Sequence, residues 1–90
     1  MFYIVSYDIP DDKKRNKVAD ILLDFGTRIQ YSVFECIMDY PLLEKMIAKL
    51  NKLISDNDSV RIYPLCAKCE GMARVMGKGK LTEDAEVYIL

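Results

Sequence analysis

The sequence predicts an α+β domain, a ferredoxin-like βαββαβ-type sandwich with two helices on one face of an antiparallel sheet and an extra C-terminal strand. Three observations carry this expectation. The chain has 90 residues, which gives room for a single domain spanning 1–90. Its 51% apolar and 30% charged residues are the balance of a folded globular protein, far from that of disordered chains. Its apolar spacing switches from a strand-like run to helical periodicity twice along the chain.

The first strand is Phe2 to Tyr7, a run of β-formers closed by Asp8, Ile9 and Pro10; its near-continuous apolarity suits a central strand. Asp11 then caps a helix in which Val18, Ile21, Leu22 and Phe25 recur at helical spacing, with Gly26 as the stop. From Thr27 to Met38 the residues alternate, Ile29, Tyr31 and Val33 on one face and Arg28, Gln30, Ser32 and Phe34 on the other, so one long second strand is expected. Tyr40 and Pro41 open a second helix carrying Leu43, Met46, Ile47, Leu50 and Ile54. The polar stretch Ser55 to Ser59 is a turn into a third strand through Val60, Ile62 and Leu65, which Pro64 confines to a sheet edge. A short fourth strand is expected around Met72 to Met76, ending at Gly77, and Val87 to Leu90 can add a fifth piece. With both helices on one sheet face, the other face is left open for a partner or solvent.

Lys and Arg total 13 against 14 Asp and Glu, a net charge of -1, so the overall balance gives no long-range pull on phosphate. The bases are nevertheless grouped. Lys13, Lys14, Arg15 and Lys17 lie together, and Arg61, Lys68, Arg74, Lys78 and Lys80 face only Glu70 between 61 and 80; each group is either a solvated face or a phosphate-binding patch. The chain has no His, which excludes histidine-based triads and the commonest transition-metal ligand. Three Cys, no basic n-region and no apolar run long enough for a signal peptide or membrane span point to reduced thiols in the cytoplasm and to no membrane partner. Cys66 and Cys69 form a lone Cys-x-x-Cys, either a redox pair or two plain thiols, since a structural zinc site needs four ligands.

Asp8 stands where the first strand leaves the sheet. An acid there caps a turn or ligates a hard cation such as Mg²⁺, which takes one or two carboxylates plus water and phosphate oxygens. A two-fold dimer would bring two Asp8 side chains to one ion. Arg15, Lys17 and Arg28 suit phosphate oxygens, whereas Tyr7 and Phe34 suit a core or interface more often than a base-stacking platform.

Taken together, Tyr7-Asp8-Ile9, Arg15-Asn16-Lys17-Val18, the run Phe25 to Glu35, and Arg61 to Leu65 resemble the small CRISPR-associated adaptation endonucleases of the Cas-two family over nearly the whole chain. The resemblance implies a homodimer whose open sheet faces pack together, with residues 84–90 reaching to the partner's sheet. It also implies metal-dependent hydrolysis of RNA or DNA, with Mg²⁺ or another divalent cation, and a place as the central dimer between CRISPR integrase subunits in spacer integration. By residue, it implies Asp8 as the metal-binding acid, Tyr7 beside it in the catalytic pair, and Arg15, Lys17, Arg28, Ser32 and Phe34 on the nucleic acid. A non-catalytic duplex-binding scaffold bridging integrase dimers is the alternative, which needs the same basic surface but not Asp8.

Overall fold

The computed structural model describes residues 1–83. Its elements are β1 (Phe2–Asp8), α1 (Asp12–Leu23), β2 (Thr27–Gln30), β3 (Val33–Ile37), α2 (Tyr40–Asn51), β4 (Ser59–Leu65) and α3 (Ala67–Met72). The four strands form one sheet in the order β2-β3-β1-β4, antiparallel throughout. This is the predicted ferredoxin-like sandwich, with β1 central and β4, carrying Pro64, at an edge that needs no further backbone donor.

Both long helices start as the sequence dictates. The Asp11 carboxylate accepts from the Lys14 N–H at 2.8 Å, and the Asp39 carboxylate accepts from the Leu42 N–H at 3.0 Å, each satisfying a donor that the first turn leaves orphaned. Alternation along β1 turns Tyr3, Val5 and Tyr7 toward the helices, where they meet Val18, Ala19, Leu22, Met46 and Leu50 in one buried cluster. Phe34 lies opposite Val5 and Cys36 opposite Tyr3, so both join that core. Gly26 closes α1 against β3: a Cβ there would overlap the Cys36 sulfur and the Glu35 carbonyl oxygen.

The structure corrects the sequence reading in three places. Residues 27–38 are two antiparallel strands joined through Tyr31 and Ser32, not one long strand. The turn contains no residue at positive φ, so it lacks the Gly or Asn that marks most two-residue hairpins; a register shift between Arg28 and Gln30 takes up the irregularity. The Arg28 side chain holds the Tyr31 carbonyl instead, as described below. Second, the expected strand at Met72–Met76 is replaced by α3 and an irregular segment after it. Its first turn closes with the Glu70 N–H on the Cys66 carbonyl at 2.9 Å, a local bond that forms without needing a neighbouring strand. Third, the sheet face away from α1 and α2 is partly covered within the chain. Residues 73–82 lie along Phe2, Ile4, Glu35 and Leu65, and Thr82 donates from its N–H and hydroxyl to the Glu35 carboxylate at 3.0 and 2.6 Å. The expected strand at 84–90 lies outside the described residues. Among the described residues, no helix is long and apolar enough to cross a membrane.

Candidate active site and nucleic-acid interface

Tyr7 and Asp8 are neighbours in β1, and successive side chains of a strand point to opposite faces. Tyr7 is therefore 5% exposed in the helix-side core, whereas Asp8 is exposed. The candidate residues accordingly fall into two groups, one on each face of the sheet.

On the helix side, Tyr7, Arg28 and Phe34 converge with Tyr31. Arg28 Nε and Nη2 donate to the Tyr31 carbonyl at 3.0 and 2.5 Å, and Nη2 reaches the Tyr7 hydroxyl at 3.4 Å. That hydroxyl donates in turn to the same Tyr31 carbonyl at 3.2 Å. The guanidinium lies 5.0 Å from the Tyr31 ring centroid and 5.6 Å from that of Phe34, within cation–π range, and the Tyr7 and Phe34 rings pack tilted at 6.3 Å. Phe34 is fully buried, so it supports Arg28 from beneath and offers no ring face to a base. Ser32 acts through its backbone, its carbonyl accepting from the Tyr7 N–H at 3.1 Å. The exposed Arg28 is thus a cation held on three aromatic side chains.

Arg15 stands near this corner but is engaged. Nη1 donates to the Ile9 carbonyl at 2.9 Å, Nη2 pairs with Asp12, and Nε is buried without a partner among the described residues. Tyr31, then Asp12, raise its pKa above the ordinary arginine value, so its charge is fixed. Lys17 is exposed on α1 and free of side-chain hydrogen bonds and ion pairs among the described residues. Lys14 is not free: it joins Asp58 at 2.8 Å and the Ser55 hydroxyl at 2.9 Å, tying α1 to the turn before β4. Lys14, then the Ser55 backbone N–H, hold the Asp58 carboxyl below its ordinary value.

On the other face, Asp8 lines a cleft with Ser6, Tyr7, Ser59, Arg61 and Tyr63. The strand register sets this grouping, because Asp8 lies opposite Ser59, Ser6 opposite Arg61 and Ile4 opposite Tyr63, and opposed residues of antiparallel strands share a face. Asp8 is the one carboxylate of the cleft. Among the described residues, no three His, Cys, Asp or Glu side chains gather as a metal site. Arg61, Tyr63 and Ser59 were not reached as partners of Asp8 from sequence, since that needs the β1–β4 register. Tyr31 was missed as the acceptor for Arg28, and the turn that makes it one carries no sequence signature.

Residues 1–73 match the family described as CRISPR associated protein Cas2. The chain belongs to the Cas2 family. It is 42% identical over 93 residues to the CRISPR-associated endoribonuclease Cas2 1 of Chloroflexus aurantiacus, covering 100% of both chains. It is 44% identical to the CRISPR-associated endonuclease Cas2 2 of Thermus thermophilus, over 98% of this chain and 94% of the relative. Its fold is similar to that of the hypothetical protein TT1823 of Thermus thermophilus, with a TM-score of 0.78 at 42% identity over 91% of this chain and 96% of the other. A chain in a partial Cas6-RT-Cas1–Cas2 complex superposes with a TM-score of 0.72 at 25% identity, over 83% of each. The motifs at Tyr7-Asp8-Ile9, Phe25 to Glu35 and Arg61 to Leu65 all fall within the residues that match the Cas2 family.

Cys66 and Cys69 are free and exposed, and Cys36 is free and buried, with burial pushing the Cys36 thiol up to about 11. Cys69 holds the Cys66 thiol below its ordinary pKa. Neither of the exposed thiols lies in the Asp8 cleft.

Proposed function

We propose that this Cas2 chain is a divalent-metal-dependent endonuclease acting on RNA or DNA, and that as a homodimer it forms the core of a spacer-integration complex with an integrase subunit. The observation that carries the reading is Asp8, an exposed carboxylate at the end of the central strand, in a cleft of oxygen and nitrogen donors on the sheet face away from the helices. The names of relatives as endoribonuclease and endonuclease support the reaction class, and the likeness to a chain in a Cas1–Cas2 complex supports the integrase partner.

The donor set fits a hard cation. One carboxylate, with serine hydroxyls beside it, suits Mg²⁺, which keeps several waters and shares substrate phosphate oxygens. A second copy related by a two-fold axis would add its own Asp8. When bound, Mg²⁺ supplies activation of a water and polarisation of the scissile phosphate. Hydrolysis adds water across the P–O3′ bond, leaving a 3′-hydroxyl and a 5′-phosphate. Arg28, fixed on Tyr7, Tyr31 and Phe34, and the exposed Lys17 hold backbone phosphates by charge. Tyr7 acts through Arg28: its hydroxyl and ring set where the guanidinium stands.

Titration of Mg²⁺ against cleavage of single-stranded RNA, single-stranded DNA and duplex tests the reading. Cleavage rises saturably with Mg²⁺ and disappears in EDTA. Cleavage that persists in EDTA contradicts it. The engaged state of Arg15 and the single carboxylate favour a second reading, a duplex-binding scaffold without chemistry; duplex affinity with no cleavage at any metal concentration supports that one.

A further inference from the structure

The Asp8 cleft contains a cation that the proposed chemistry has not used. Arg61 is exposed on β4, faces the same side of the sheet as Asp8 through its pairing with Ser6, and lines the same cleft. Its Nη1 donates to the Tyr63 hydroxyl at 3.4 Å, and Tyr63 raises its pKa above the ordinary arginine value. It forms no ion pair with Asp8 or any other described carboxylate, for the described ion pairs are Lys14 with Asp58 and Arg15 with Asp12. Asp8 lies opposite Ser59, so Arg61 is its diagonal neighbour, and diagonal pairs stand about 7 to 8 Å apart between strands. That is a backbone spacing, within reach of a long side chain, so the unpaired Arg61 and Asp8 can both approach one phosphate group placed in the cleft. An arginine fork suits two oxygens of such a group, and the carboxylate suits the cation on a third.

We propose that Arg61, steadied by Tyr63, is the phosphate-binding residue of the Asp8 site, gripping the same phosphodiester that the Asp8-bound cation engages. The inference rests on the metal-site reading given above and assigns the substrate side of that site. It predicts a coupling: the divalent cation and the phosphate reinforce each other's binding through the Asp8–Arg61 pair, and loss of Arg61 removes the reinforcement while leaving phosphate contacts elsewhere intact.

Affinity for a short single-stranded oligonucleotide, measured in EDTA and in Ca²⁺ for wild type, Arg61→Gln, Arg61→Lys and Asp8→Asn, tests it without requiring turnover. Wild type binds more tightly in Ca²⁺ than in EDTA. Arg61→Gln binds about 10- to 100-fold more weakly than wild type in Ca²⁺, the effect of losing hydrogen bonds to a charged group, and changes little in EDTA. Arg61→Lys falls between them, because the charge stays and the fork is lost. An Arg61→Gln variant that keeps the full Ca²⁺ enhancement, while Asp8→Asn loses it, overturns the role of Arg61 and leaves the metal site standing. An equal loss in EDTA and Ca²⁺ makes Arg61 a general backbone contact and also overturns the proposal. If wild type gains nothing from Ca²⁺, the metal-site reading fails and the role of Arg61 fails with it.

Discussion

Asp58 and Lys14 show how one side chain links acidity to the fold. The folded carboxyl is held below its ordinary value of 3.8 by Lys14 and by the Ser55 N–H, so the folded state binds fewer protons than the unfolded one in that range. A depressed carboxyl contributes stability that is present above the unfolded pKa and is lost as pH falls through the folded one. Asp58→Asn should therefore lower the Tm at neutral pH, and the gap from wild type should close as the pH drops below 3.8; melting curves across that range check this, and a gap that stays constant contradicts it. Gly26 is a packing constraint at the same scale. Gly26→Ala forces its methyl group into Cys36 and the Glu35 carbonyl, an overpacking cost of about 1 to 3 kcal/mol, to be read from urea unfolding midpoints. The sequence marks Gly26 only as a helix stop, since its packing on Glu35 and Cys36 requires the turn between β2 and β3, which the alternation does not show.

Where single elements are concerned, the strongly periodic ones were legible. Asp11 and Asp39 cap α1 and α2, and of the apolar positions that the spacing names, Val18 and Leu22 of α1 and Met46 and Leu50 of α2 are buried. The turn at Tyr31 and Ser32 was not legible because its stabilising bonds come from the side chain of Arg28 and the hydroxyl of Tyr7, contacts that exist only once β1 and β2 are in place. Alternation read across residues 27–38 therefore set Phe34 on the same face as Ser32, although Phe34 is core. The segment after β4 differs from the expected strand for a related reason: the six-residue helix Ala67–Met72 is too short to show periodicity. The following residues lie on the sheet through the bonds from Thr82 to Glu35. Thr82→Val removes the hydroxyl donor from a carboxylate in a residue that is 6% exposed, with an expected loss of about 1.5 kcal/mol. Hydrogen exchange at residues 73–82 should accelerate in that variant, and unchanged protection there counts against the tether.

For the whole molecule, the net charge of -1 conceals an arrangement in which Arg28 and Lys17 stand exposed while Lys14 and Arg15 are engaged within the fold. The proposed duplex binding through those exposed bases should weaken as salt is added, and an affinity that stays flat between low and physiological salt contradicts it. If residues 84–90 reach a partner's sheet, as the family resemblance implies, their deletion should weaken dimer association in sedimentation, and an unchanged association constant opposes that reading. The fold class was legible in the sequence, and Asp8 and Arg28 stand out there as candidate site residues. The division of Tyr7 and Asp8 between two sheet faces follows from strand alternation once both lie in β1, and the company of Arg61 follows from the β1–β4 register alone. The central claim is that Asp8 supports the metal-dependent chemistry while other residues support metal-free binding. Turnover in Mg²⁺ and duplex affinity in EDTA, measured side by side for wild type and Asp8→Asn, test it most directly. The substitution keeps the side chain's size and removes its charge, so hydrolysis should collapse while duplex affinity in EDTA stays equal or rises slightly as a negative charge leaves the phosphate path. An Asn variant that cleaves as fast as wild type contradicts the account.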